Sequence, residues 1–439
     1  MKKSISLLLI LFILVAIPAF SGETPKNIIL FSINGLDNSS LSLARMALCG
    51  PYGKLNLEKI NKGGYLSTYS FDSWISDSAS AMSTISTGER ANNGELALDS
   101  LGAVKPTILE IAKDQGKAIG IVADCRLTYA PVAAFYTHST NRFLESNFVK
   151  DLITLEPNLI FGGGKDMFLP KSLGGMRADG LDFINSSIKK GYKILSNRLD
   201  LVKCSQLSSK VLGIFTSDHM SYNIDRPADE PSFNLMVDKA LKILPGKSDK
   251  GFILIIIADK ISSALRNHDV KGFVNQFSEI DSSIGEVLAY QRLHSNTFVC
   301  IFSPYSTCPP FIGDRSSLNY LPNIKCSTDY MASKIDASGE NVGWVLERYA
   351  SINKLTEKEK SKIFYNLKNE FLSISIGDML ARRMGIYFLS PEDQKNQSDT
   401  FGNSTQTTPF FVVGPGAEDF DFFISNYDLG KKFISFIKD

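Results

Sequence analysis

Few residues in this chain combine a reactive type with a suggestive setting. Ser78 stands in "SDSASAMS" (76–83), where Ser78, Ala79, Ser80, Ala81 and Ser83 let a helix start tightly against a sheet. Backbone N–H groups at such a start point at an anion, and a hydroxyl in the first turn meets it. The same composition also serves plain close packing. A second candidate is "FSINGLDNSS" (31–40), which follows the apolar run "KNIIL". The polar end of a strand is where an α/β enzyme presents a metal-binding carboxylate or a phosphate loop. Here the residue at the turn is an amide, Asn34. "FGGGKDMF" (161–168) lacks the Gly-Lys-Ser/Thr order of a nucleotide loop, and no Cys-x-x-Cys occurs among Cys49, Cys125, Cys204, Cys300, Cys308 and Cys326.

The elements that must position these residues are legible as continuous apolar runs at 26–33, 118–123, 158–164, 210–216, 251–257, 297–303 and 409–416. Unbroken apolarity implies strands covered on both faces, hence an α/β fold with a mostly parallel sheet between helical layers. "KPTILEIAKDQG" places Pro106 in an opening turn and Gly116 past the end, and "EPSFNLMVDKALKIL" opens with Pro231, so both read as crossover helices. An irregular insertion at about 305–355 precedes a long charged helix from about Thr356 to Met384. The domain is expected over 22–439, because the last run returns to the sheet.

With 47 basic and 46 acidic residues the formal charge is +1, which argues against nucleic acid or an anionic membrane as partner. "MKK", the run "ISLLLILFILVAIPAF" and "SGE" form the basic, apolar and cleavage regions of a secretory signal over residues 1–21. A retained anchor is the other reading of that run. The expectation is a periplasmic or secreted protein, free of the membrane after cleavage. Cys308–Cys326 is the preferred pair in such a compartment, with free buried thiols as the alternative.

In order and spacing, "NIILFSINGLD", "DSASAMSTISTGERANNG", "AIGIVADCRLTYAPVAAFYTHSTNR", "LGIFTSDHMSYNIDRP", "GFILIIIADKI" and "TPFFVVGPGAEDFDFFISNYDLGKK" resemble the alkaline phosphatase family from about Lys26 onward. The resemblance implies a three-layer α/β/α sandwich, a homodimer, and zinc and magnesium at the carboxyl edge of the sheet. It implies that Ser78 matches the nucleophile and Arg142, in "THSTNR", the arginine that grips phosphate. The family's "GDG" carboxylate falls on Asn34, and its "THATPA" ligands on Tyr129 and Pro131. The "EGGRID" acids fall on Ile257 and Ser262, and the histidine after them on Arg266. The "ADHE" pair falls on Pro304 and Tyr305, and the last histidine near Asn403.

Zinc needs imidazole, carboxylate or thiolate donors, which these replacements do not supply. The expectation is therefore a protein with no metal cofactor, a pseudoenzyme whose Ser78 stays a neutral alcohol. Losing ~5 kcal/mol of transition-state stabilisation slows turnover by several thousandfold. An anion pocket for phosphate, sulfate or a phosphoester, held by Arg142 and Arg266, is expected to persist. Arg266 facing solvent or pairing with Asp269 is the plainer alternative. The rival reading is an active phosphomonoesterase or phosphotransferase using Ser78 with a cation relocated among Asp37, Asp77, Asp259 or Asp269. Resemblance makes His138 and His219 structural, His268 lies two positions from a matched ligand, and His294 sits at a helix end, so no Ser–His pair is assembled.

Overall fold

Residues 24–205, 210–367, 371–389 and 402–438 are described by a computed structural model. The signal expected at 1–21 lies outside them, as do residues 390–401 before Asn403. In chain order the strands are β1 (Asn27–Ile33), β2 (Lys62–Ser67), β3 (Ala118–Arg126), β4 (Leu159–Gly163), β5 (Tyr192–Leu195), β6 (Lys210–Ile214), β7 (Phe252–Ala258), β8 (Thr297–Phe302), β9 (Ser306–Thr307), β10 (Phe311–Ile312), β11 (Ile386–Tyr387), β12 (Asn403–Ser404), β13 (Thr408–Val413) and β14 (Phe423–Ser425). Ten of them form one sheet in the order β14-β2-β13-β8-β1-β7-β3-β4-β6-β5. From β8 to β5 every pairing is parallel. The returning strand β13 runs antiparallel to both β8 and β2.

Alternation along the strands sends side chains into two separate cores. Ile29, Phe31 and Ile33 of β1 join Leu254 and Ile256 of β7 on one face, under the helices Phe233–Ile243 and Val270–Leu293. Ile28 and Leu30 join Ile253, Ile255 and Ile257 on the other, under the helices Ser78–Thr87 and Asn426–Lys438. This is the expected sandwich of helices, sheet and helices. Each fully buried Ile or Phe contributes roughly 1.5–3 kcal/mol, so the two layers hold the strand ends in place.

Some local expectations are corrected. Pro106 and Pro231 precede the N-caps Thr107 and Ser232 instead of entering the first turn, because the hydroxyls of those caps take the free N–H groups. The span Thr356 to Met384 is not one helix. Glu357–Tyr365 and Leu372–Arg383 are separate, the first capped by a Thr356–Glu359 capping box. The insertion carries the helices Thr328–Lys334 and Val342–Ala350. All six cysteines are free, so Cys308 and Cys326 are buried thiols and not a disulfide. Among the described residues no helix is long and apolar enough to cross a membrane.

Candidate active site

The ends of the parallel strands bring the polar residues together. Asp77 caps the helix Ser78–Thr87 with extended backbone, its Oδ1 accepting from the Ser80 N–H at 2.7 Å. Its Oδ2 accepts from the Gly94 N–H at 2.9 Å and from Arg142 Nη1 at 2.7 Å. Arg142 Nη2 donates to Ser78 Oγ at 2.7 Å. One guanidinium thus forks between the cap and the hydroxyl, which only its planar geometry permits. Asn93 braces the turn, its Oδ1 accepting from the Asp77 N–H at 2.8 Å and the Ser80 hydroxyl at 2.7 Å. Ser78 is 3% exposed.

Asn34 leaves β1 at the same edge and is fully buried. Its Oδ1 accepts from Ser32 Oγ at 2.6 Å, and its Nδ2 donates to Asp259 Oδ1 at 2.7 Å. The amide therefore suits the turn: a carboxylate there would face another across a hydrogen-bond distance. Gly35 has φ +85°, and a Cβ on it would lie 2.6 Å from Thr307 and 3.0 Å from Ser262, so the turn closes only on glycine. Tyr305 donates to the same Asp259 Oδ1 at 3.4 Å.

Arg266 ends the short helix Lys260–Arg266, and neither alternative expected for it holds. It does not pair with Asp269, which caps the helix Val270–Leu293 and accepts from Gly272 and Thr328 N–H groups. Its Nη1 reaches Ser262 Oγ and its Nη2 reaches Asn403 Oδ1, each at a long 3.5 Å. Its Nε is buried with no hydrogen-bond partner. Burial opposes the charge, yet Tyr305, Tyr129 and Asp259 hold the guanidinium's pKa above its ordinary value. Asn403 Nδ2 donates to the Ser76 carbonyl at 2.9 Å, which ties the Arg266 wall to the turn carrying Ser78.

The remaining residues singled out from sequence divide cleanly. Asp37 and Asp269 are helix caps like Asp77, so the four acids do not gather. His138 bonds Ala97 and Glu110. His219 accepts from the Arg126 N–H and lies edge-on to Tyr129. His268 is buried against Phe388 and near Asp378, and His294 ends a helix. Pro131 opens the turn Ala130–Ala133 and Ile257 lies in the core. Sequence reasoning missed Asn93 and Asp124, which are recognisable only by what they touch.

Asp124 Oδ1 accepts from the Asp259 and Lys260 N–H groups at 2.6 and 3.0 Å, and Oδ2 from Gln276 Nε2 at 3.1 Å. Burial, then the charge of Asp259, push its pKa from 3.8 to about 7. The folded state therefore holds a proton that the unfolded chain releases. The resulting stability is fully present below pH 3.8 and is lost as the pH climbs through about 7. We expect the unfolding free energy from urea titrations to fall across that window with a slope of up to about 1.4 kcal/mol per pH unit. Asp124→Asn should flatten the profile, and an unchanged slope would assign the titration elsewhere.

Asn34, Ser262, Arg266, Tyr305 and Asn403, the residues at the matched ligand positions that the strand ends link by hydrogen bonds, offer no imidazole, carboxylate or thiolate. Among the described residues no three of His, Cys, Asp and Glu come together as a metal group. These residues do not fit a zinc pair. The acid at hand is Asp259, an oxygen donor of the kind hard cations take.

A family model described as alkaline phosphatase matches residues 25–362. The alkaline phosphatase of Schizosaccharomyces pombe is 32% identical over 73% of this chain, which spans 65% of that relative's length. The crystal structure of the Thermus thermophilus alkaline phosphatase superposes with a TM-score of 0.82 at 21% identity, covering 93% of this chain and 90% of the other. A mutant alkaline phosphatase from the Antarctic bacterium TAB5, with Mg bound in its M3 site, superposes at 0.69 with 20% identity, covering 95% and 99%. These matches overturn the expectation of no metal cofactor, because alkaline phosphatase relatives point to metals and one of them holds magnesium. Counting lost ligands misled the sequence reading, since a cation can use oxygen donors that such a count passes over. Matched over most of its length by the family model, this chain belongs to the alkaline phosphatase family.

Proposed function

We propose that the chain is a degenerate member of its family that binds a tetrahedral anion, phosphate, sulfate or the phosphoryl end of a phosphomonoester, between Arg142 and Arg266. Its turnover is proposed to be far below that of a metal-complete phosphatase. The observation that carries this reading is the buried Arg266 Nε without a partner beside two 3.5 Å contacts. A guanidinium so poorly satisfied is costly unless a ligand completes its hydrogen bonds. Arg142, which holds the Ser78 hydroxyl, supplies the second positive charge for the anion. Magnesium belongs in this reading as an added cation at Asp259, the one acid directed at Asn34 and Tyr305.

Among the described residues no base meets Ser78, since its oxygen accepts from Arg142 and the four histidines bond elsewhere. The apolar leader at residues 1–21 supports export to the periplasm or beyond, and the family resemblance supports a homodimer. Calorimetry with inorganic phosphate should give saturable binding, weakened about tenfold by Arg266→Gln. Absence of binding to the unaltered protein removes the pocket. Phosphomonoester turnover, assayed with zinc and with magnesium added, should stay low. Brisk turnover abolished by Ser78→Ala would show a working enzyme instead.

A further inference from the structure

Resting on the anion pocket above, we propose that Tyr129 is a third contact of that pocket, its hydroxyl donating to an anion oxygen between the two guanidiniums. By sequence Tyr129 falls where the family keeps a metal ligand, and so reads as a loss. The fold gives it a different setting. Tyr129 caps the turn Ala130–Ala133 at the end of β3, and its ring is held on three sides. His219 meets it edge-on at 5.0 Å between centroids, Arg126 lies 5.6 Å from its centroid and Arg142 5.8 Å. Arg126 is in turn fixed by Glu145, which takes its Nε and Nη2 at 2.9 and 2.7 Å. Such a ring has little freedom to turn away.

The ring lies against Arg142, whose Nη2 donates to Ser78 Oγ, and this sets Tyr129 beside the serine turn that Asn403 ties to Arg266. The neighbouring phenol, Tyr305, spends its proton on Asp259. No residue takes a hydrogen bond from Tyr129 Oη among the contacts of the described residues, and Tyr129 is partly exposed. A neutral donor beside two cations adds direction without further charge. It selects an anion whose oxygens diverge, as those of phosphate do, over a planar carboxylate that two forks already satisfy.

Phosphate titration of Tyr129→Phe should show affinity weakened roughly tenfold or more, as expected for one hydrogen bond to a charged group. Equal affinity in a folded variant overturns the proposal. If phosphate fails to bind the unaltered protein, the underlying pocket fails first, so the two failures are distinguishable. A second measurement avoids reliance on that variant's folding. With 3-fluorotyrosine placed at position 129, the ¹⁹F resonance should move on adding inorganic phosphate and saturate with the calorimetric Kd. A resonance that stays still while phosphate binds also overturns the contact.

Discussion

Arg142→Ala is expected to weaken phosphate binding roughly 100-fold or more, the largest effect of any single change in the site. The argument starts from geometry. Arg142 is largely buried, with 14% of its side chain exposed against 11% for Asp77, and it holds Asp77 and Ser78 at the same time. Truncation removes one arm of the anion grip. It also frees Ser78 Oγ and leaves the Asp77 carboxylate with the N–H groups of Ser80 and Gly94 alone. Those two donors keep the cap in place, so the stability loss should stay near ~1–3 kcal/mol, less than for an acid left wholly unpaired. Arg142→Lys separates charge from shape: it keeps the cation but loses the fork, and should bind phosphate with intermediate affinity. Calorimetry beside thermal unfolding reads both quantities. Phosphate affinity unchanged in the folded Arg142→Ala protein would put the anion somewhere else.

The second large effect concerns Asn34→Asp. The new carboxylate would face Asp259 at the 2.7 Å now spanned by an amide hydrogen bond, in a place where Asn34 is fully buried and Asp259 is 2% exposed. Two like charges so close cannot both ionise, and one pKa rises. A raised carboxylate makes stability fall as the pH rises, because the proton it needs is lost. At pH 8 the variant should be destabilised by about 3 kcal/mol, and more mildly at pH 5. A divalent cation changes the sign of the problem, since two acids become two ligands. Magnesium should therefore raise the Tm of Asn34→Asp much more than that of the unaltered protein. A variant as stable as the parent, with no response to magnesium, would contradict the Asn34–Asp259 bridge.

The main strands along the chain and the mostly parallel sheet were legible because continuous apolar runs leave few alternatives. What escaped notice had physical causes. β2 reads "KGGYLS", which lacks an apolar run because Gly63 and Gly64 sit against neighbouring backbone. A Cβ on them would meet the Phe410 carbonyl at 2.5 Å and the Phe422 carbonyl at 1.9 Å. β5 and β14 are too short to stand out. Within the site, Ser78 and Arg142 could be matched by motif, and the structure joins them by one hydrogen bond. The acids could not be sorted the same way. Asp37, Asp77 and Asp269 each precede a helix, and a capping carboxylate is indistinguishable in sequence from a candidate ligand until its N–H donors are seen. Arg266 was ambiguous for a related reason, as a long side chain at a helix end can swing outward or inward. Here Asn403, brought in by β12 from far along the chain, meets it.

That amide has a mechanical consequence. Through its oxygen Asn403 touches Arg266, and through its nitrogen it holds the carbonyl of Ser76, two residues before Ser78. Wall and floor of the cleft are thus clasped by one side chain seated on a two-residue ladder with β9. An occupant that pulls Arg266 inward tugs the same clasp that steadies the serine turn, so the two sides tighten as a unit.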